Sequence, residues 1–111
     1  MTSDKTAGYV RVRGLGGDQL VEERMVRLQT QQIIRECGRS GWLLDDLFVD
    51  RGERAGDPSR PGLAAALELV HQGGHAALVV AVFDRLARPD VDFAALAAVA
   101  QAEGWRLIVA R

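Results

Sequence analysis

The sequence predicts an α/β domain, a three-layer sandwich with a mainly parallel central sheet, and three observations carry that prediction. Residues Ala76 to Phe83 form an unbroken, valine-rich apolar run that stops at Asp84. An apolar run without alternation is the pattern of a strand covered on both faces. Strand-like and helix-like segments alternate three times and the series closes on a strand. Short helices in each crossover put helical layers on both sides of a parallel sheet.

The chain has 111 residues, enough for one domain with a proper core and too few for two. A single cysteine, Cys37, excludes an internal disulfide and fits a reducing, cytoplasmic setting. The absence of a long apolar run, signal peptide or lipidation motif reads as a soluble protein with no membrane partner. The net charge of −1 argues against a general electrostatic grip on nucleic acid. Every basic residue except Lys5 is nevertheless arginine, and several fall in segments with loop character, so the neutral total conceals local clusters.

Residues 1–6 read as a disordered N-terminal arm. Thr6 to Arg13 reads as the first strand, with Val10 and Val12 on one face and Tyr9, Arg11 and Arg13 on the other. Unpaired arginines are costly to bury, so they belong near the strand's carboxyl end, beside acids or a ligand. Gly14-Leu15-Gly16-Gly17 follows, a turn into a helix that Asp18 caps. Glycines at a helix start can cradle an anion. Here the spacing matches neither a dinucleotide fingerprint nor a P-loop, and a linker is the plainer reading. Val21, Met25, Leu28, Ile33 and Cys37 form the stripe of the first helix, broken by Gln32. On that stripe Cys37 is core filler.

Trp42 to Asp50 is the second strand. Residues 51–59 have no apolar periodicity and form a cationic loop through Arg51 and Arg54. Arg60-Pro61-Gly62 opens the second helix, with Ser59 available as cap and Leu63, Leu67 and Val70 as its stripe. Gly73-Gly74 ends that helix and separates His71 from His75, so both histidines read as surface residues and no metal site is expected. After the central apolar strand, Pro89 and Asp90 start a helix that packs through Phe93, Leu96, Ala97 and Ala100. Trp105 to Ala110 is the last strand. The order implies a flavodoxin-like winding.

The apolar strand ends in Asp84-Arg85-Leu86-Ala87-Arg88, at the edge where open α/β sheets bind ligands. Arginine forks bond oxyanions in pairs, which suits a phosphate, although a surface ion pair at a solvated strand end is the plain alternative.

Three separated pieces, Tyr9-Val10-Arg11-Val12, Asp50 with Arg60-Pro61-Gly62-Leu63 ten residues on, and Phe83-Asp84-Arg85-Leu86-Ala87-Arg88, together resemble the catalytic domain of the serine recombinases, the resolvase and invertase family. Gln29 falls where that family places a glutamine. The resemblance spans residues 7–111 and implies a resolvase-like fold and an activity in DNA strand exchange. It also implies a serine that attacks a phosphodiester while arginines steady the phosphate. By that resemblance Arg11, Arg60, Arg85 and Arg88 match the phosphate-binding arginines, joined here by Arg13. Asp50, Asp84, Gln29 and Tyr9 would support them. No cofactor is implied.

The sequence departs from the pattern where it matters most. The residue after Tyr9-Val10-Arg11-Val12 should be the nucleophile, and it is Arg13, whose guanidinium stays protonated. The family's second serine, four residues after the aspartate, is replaced by Arg54. The remaining serines are Ser3, Ser40 and Ser59. The expectation is a catalytically inactive domain, without a C-terminal DNA-binding domain, that binds a phosphate or DNA backbone weakly or pairs with an active recombinase or itself. The alternatives are a site turned to a nucleotide or other phosphate ligand, and a relic whose arginines pair with Asp45, Asp46, Asp50 and Asp84. A phosphoacceptor role for Asp50 lacks the acidic pocket and lysine it needs.

Overall fold

Parallel strands need crossovers, and each crossover observed here is a helix. The structure is a computed structural model that describes residues 4–12, 19–51, 61–81 and 93–110. In chain order the elements are β1 (Lys5–Val12), α1 (Gln19–Ser40), β2 (Leu43–Arg51), α2 (Pro61–His71), β3 (Ala77–Ala81), α3 (Phe93–Glu103) and β4 (Arg106–Ala110). Among the described residues the strands form one four-stranded, all-parallel sheet in the order β2-β1-β3-β4. This is the flavodoxin-like α/β arrangement. The strand order reverses at β1, which has β2 on one side and β3 on the other. The chain leaves β1 after Val12 and β3 after Ala81, so the switch point of the sheet lies between those two carboxyl ends.

Two cores result. Val10, Val12 and Val79 pack under α1 against Ile33 and Cys37, while Ala7, Tyr9, Leu78 and Val80 pack on the opposite face against Ala66 and Val70 of α2 and Ala100 of α3. Alternation along β1 therefore divides its side chains as the sequence implies. Both faces of β3 are covered, which accounts for its unbroken apolar run. Burial pushes the Cys37 thiol above its ordinary range, partly offset by the neighbouring Thr6 hydroxyl, as befits a core residue.

Several expectations need correction. The buried stripe of α1 runs through Gln29, Ile33 and Cys37 with Met25 and Val26 packed beside it, whereas Val21 and Leu28 are exposed. The polar Gln29 belongs to this stripe because it has a bonding task there, described below. Ala97 of α3 faces solvent, and Leu96 is only partly buried. His75 is not a surface residue, since its side chain is only 8% exposed. The proposed caps Asp18 and Ser59, and the proposed helix start at Pro89 and Asp90, lie outside the described residues. Gly41, Gly73, Gly74 and Gly104 have positive φ, and each ends or follows a helix.

The carboxyl-terminal ends of α2 and α3 are joined by His71 and Glu103. The hydrogen bond to Glu103, then its charge, raises the imidazole above the ordinary histidine range, and the same bond lowers the carboxyl below its own. A raised histidine stabilises the fold at acid pH and loses that effect as pH rises through its folded value. A lowered glutamate stabilises above its unfolded value and loses that effect as pH falls. The pair therefore contributes most between about pH 4.5 and 6.5. In an NMR titration, Glu103→Gln should move the His71 midpoint down towards the ordinary histidine value, with Glu68 still raising it slightly; an unmoved midpoint would show that the pair does not persist in solution.

Candidate functional site

The carboxyl ends of β1 and β2 meet at Arg11 and Asp50, which are register partners on adjacent strands. Asp50 is 2% exposed, and a buried carboxylate has to be bonded. The Tyr9 hydroxyl donates to its Oδ2 at 2.7 Å. The Gly62 N–H donates to Oδ1 at 2.7 Å, and the Leu63 N–H to Oδ2 at 3.1 Å. The last two donors belong to the first turn of α2, whose N–H groups have no partner within the helix. Asp50 thus caps α2 from another strand, and its charge sits at the positive end of the helix dipole.

Gly62 is required by this contact. A Cβ there would lie 2.8 Å from Asp50 Oδ1 and 2.9 Å from Cγ, closer than a side-chain carbon can sit. Pro61 before it costs no hydrogen bond at the first helical position. The Pro-Gly pair therefore lets the helix backbone press onto the carboxylate.

Gln29 of α1 secures the same edge from the other face. Its Nε2 donates to the Arg11 carbonyl oxygen at 3.0 Å, where β1 is about to leave the sheet. Arg11 itself is partly buried on the Tyr9 side, with its Nε and Nη1 atoms shielded from water. Arg51, next to Asp50, pairs with Glu23 of α1 on the outer edge.

Of the residues singled out in the sequence, Tyr9, Arg11, Gln29 and Asp50 come together at this edge. Arg13, Arg60, Asp84, Arg85 and Arg88 lie outside the described residues. Arg13 follows the end of β1, and Arg60 precedes the turn that Asp50 holds. The capping role of Asp50 was not read from the sequence. Its one visible signal is an aspartate closing an apolar strand, followed by a Pro-Gly helix start. The other role missed was that of Gly62, whose requirement depends on a contact twelve residues away in sequence. No helix among the described residues is long and apolar enough to cross a membrane.

A parallel sheet wound in this order, with a buried tyrosine–aspartate–helix cluster at its carboxyl edge, defines an α/β domain of the flavodoxin-like class. The model of the family described as "Resolvase, N terminal domain" matches residues 6–111. The chain belongs to this family of serine-recombinase-type DNA recombination domains. Neither the curated proteins nor the solved structures give a significant match.

Proposed function

We propose that this domain, residues 7–111, is a non-cleaving member of its family that holds a DNA phosphate at the carboxyl edge of β1 and β3 and acts as a regulatory module. An active recombinase or a second copy of the same chain is the partner this role calls for. The observation that carries the reading is the identity of Arg13. It follows Val12 at the switch point, in the position where the family pattern has the attacking serine, and a guanidinium supplies no nucleophile. Ser40 ends α1 at the opposite, amino edge of the sheet and offers no replacement.

The surroundings favour an anion. Arg11 is fixed on β1 by its partly buried position, and Gln29 fixes the carbonyl of the same residue. Asp50 sets the start of α2, the helix that begins one residue after Arg60 in sequence. Arg13 directly follows β1 in sequence, and Arg85 and Arg88 come after β3, so on this reading a phosphoryl group at the edge meets several fork-shaped donors. Holding and neutralising the phosphate is the larger part of phosphoryl-transfer chemistry, and this part survives without the serine. Asp84 is assigned to orienting these arginines.

The test is anisotropy titration of a labelled DNA duplex at low salt, beside a denaturing gel for covalent protein–DNA adducts on supercoiled DNA. The expected result is salt-sensitive binding that weakens about tenfold or more on Arg85→Ala with Arg88→Ala, since each charged hydrogen bond contributes on the order of 1.5–3 kcal/mol. No adduct should form. A covalent adduct overturns the non-cleaving assignment, and binding indifferent to the double substitution overturns the phosphate site.

A further inference from the structure

We propose that Asp45, Asp46 and His75 form a binding site for a divalent transition-metal ion of the zinc class, at the amino edge of the sheet. This edge is the far side of the domain from the phosphate edge, and the inference does not depend on the function proposed above.

The site begins with an irregularity in β2. Thr6 pairs with Leu44 and Ala7 with Asp46, so Asp45 is an extra residue with no partner on β1. Such a bulge interrupts the alternation of side chains and re-aims one of them. Here it lets two consecutive aspartates approach one point instead of opposite faces. His75 reaches that point from the turn before β3. One ligand atom from each of the three residues lies within 4.8 Å of the others.

The chemistry of the set is specific. Two adjacent carboxylates repel, and among the described residues the ion-pair partner of Asp45 is His75, not a lysine or arginine. His75 Nε2 is 3.3 Å from Asp45 Oδ2. Donors bound to a tetrahedral zinc at about 2.1 Å stand about 3.4 Å apart, so this pair already has the required spacing. Separations up to 4.8 Å are wider than this, so binding requires an exposed carboxylate to move inward. The imidazole is only 8% exposed and therefore held in place, while the Asp45 side chain is 41% exposed, leaving an entry path.

The other ring nitrogen, Nδ1, is buried without a hydrogen-bond partner. Protein groups alone therefore leave this ring under-satisfied, unlike an ordinary core histidine. An imidazole nitrogen with two carboxylates favours zinc, cobalt or nickel over calcium or magnesium, which call for all-oxygen shells. Three protein ligands leave a further coordination position for water. The ion would tie the bulge of β2 to the turn before β3, across the beginning of β1.

The experiment uses the whole chain, stripped with chelator and then titrated with zinc chloride alone by calorimetry, with thermal melting in parallel. Cobalt chloride absorption supplies the ligand signature. The expected result is one zinc per chain, a melting temperature that rises with zinc, and a cobalt spectrum without thiolate bands. His75→Gln and Asp45→Asn should each weaken binding at least tenfold, whereas His71→Gln, at the exposed pair with Glu103, should leave it unchanged. If His75→Gln fails to fold by circular dichroism, Asp45→Asn and Asp46→Asn, which alter side chains at the surface, decide alone. The proposal is overturned by no saturable binding, by unchanged affinity in the aspartate variants, by loss of binding in His71→Gln, or by thiolate bands implicating Cys37.

Discussion

Replacing Asp50 with alanine should destabilise the domain by about 4 kcal/mol, since three donors lose a charged acceptor and each such hydrogen bond contributes roughly 1.5–3 kcal/mol. The loss has three identifiable parts. The Tyr9 hydroxyl keeps its burial and loses its acceptor, and the Gly62 and Leu63 N–H groups lose theirs at the start of α2. An orphaned buried donor costs roughly 1–3 kcal/mol, and a lost helix cap about 1 kcal/mol, partly the same energy counted from the helix side. Domains of this size are stable by only about 5–15 kcal/mol. A large share of the total would therefore go, visible as a lower urea midpoint with little change in slope. Asp50→Asn should lose less, because its amide oxygen can still accept from one or two of the three donors. A loss below about 1 kcal/mol in the alanine variant would mean that the cluster is not maintained in solution, against the usual cost of such groups.

This result bears on function through position. Asp50 ties β2 to the first turn of α2, and the helix it caps begins one residue after Arg60. On the proposed function, an Asp50→Asn protein, whose α2 start is held by fewer bonds, should show weaker DNA binding for a structural reason, with no direct contact between Asp50 and the phosphate. On the proposed function the acid acts by positioning, and the binding change should follow the stability change across the Asp50 series.

How much of this was legible beforehand depends on the range of the interaction. The winding of the sheet was readable because β3 is apolar on both faces and β1 alternates. These are local patterns set by the pleat. The packed side of α1 was only half readable. The periodicity placed Val21 and Leu28 on the stripe, but the helix turns instead so that Gln29 can bond the Arg11 carbonyl, a partner eighteen residues away. A polar residue with a long-range acceptor cannot be distinguished by spacing from one facing water. His75 was misplaced for the same reason. Glycines on its N-terminal side suggested exposure, yet the turn folds the ring against Asp45 in a strand thirty residues earlier. The edge residues Tyr9, Arg11 and Asp50 were legible as a group through the family resemblance, although their mutual bonds were not.

The contact between Asp50 and Gly62 permits a sharper test than either residue alone. Gly62→Ala in the native background should cost about 2 kcal/mol, within the range of roughly 1–3 kcal/mol for forcing extra volume into a packed site. The new Cβ would meet Oδ1 and Cγ of a short side chain anchored by three hydrogen bonds, so the carboxylate has nowhere to go. The same substitution made in the Asp50→Ala protein no longer meets the three carboxylate atoms that are its nearest neighbours. Alanine is also the better helix former, by about 1 kcal/mol in a helix interior and less in the first turn. There the change should be neutral or slightly stabilising. The two substitutions together should therefore cost about 2 kcal/mol less than their sum, a coupling well above the 0.3–0.5 kcal/mol scatter of about that size seen for independent sites. Urea unfolding of the four proteins in the cycle measures it. Additive losses would mean that the glycine answers only to local backbone preference and that the strand and the helix start are not pressed together as the geometry has them.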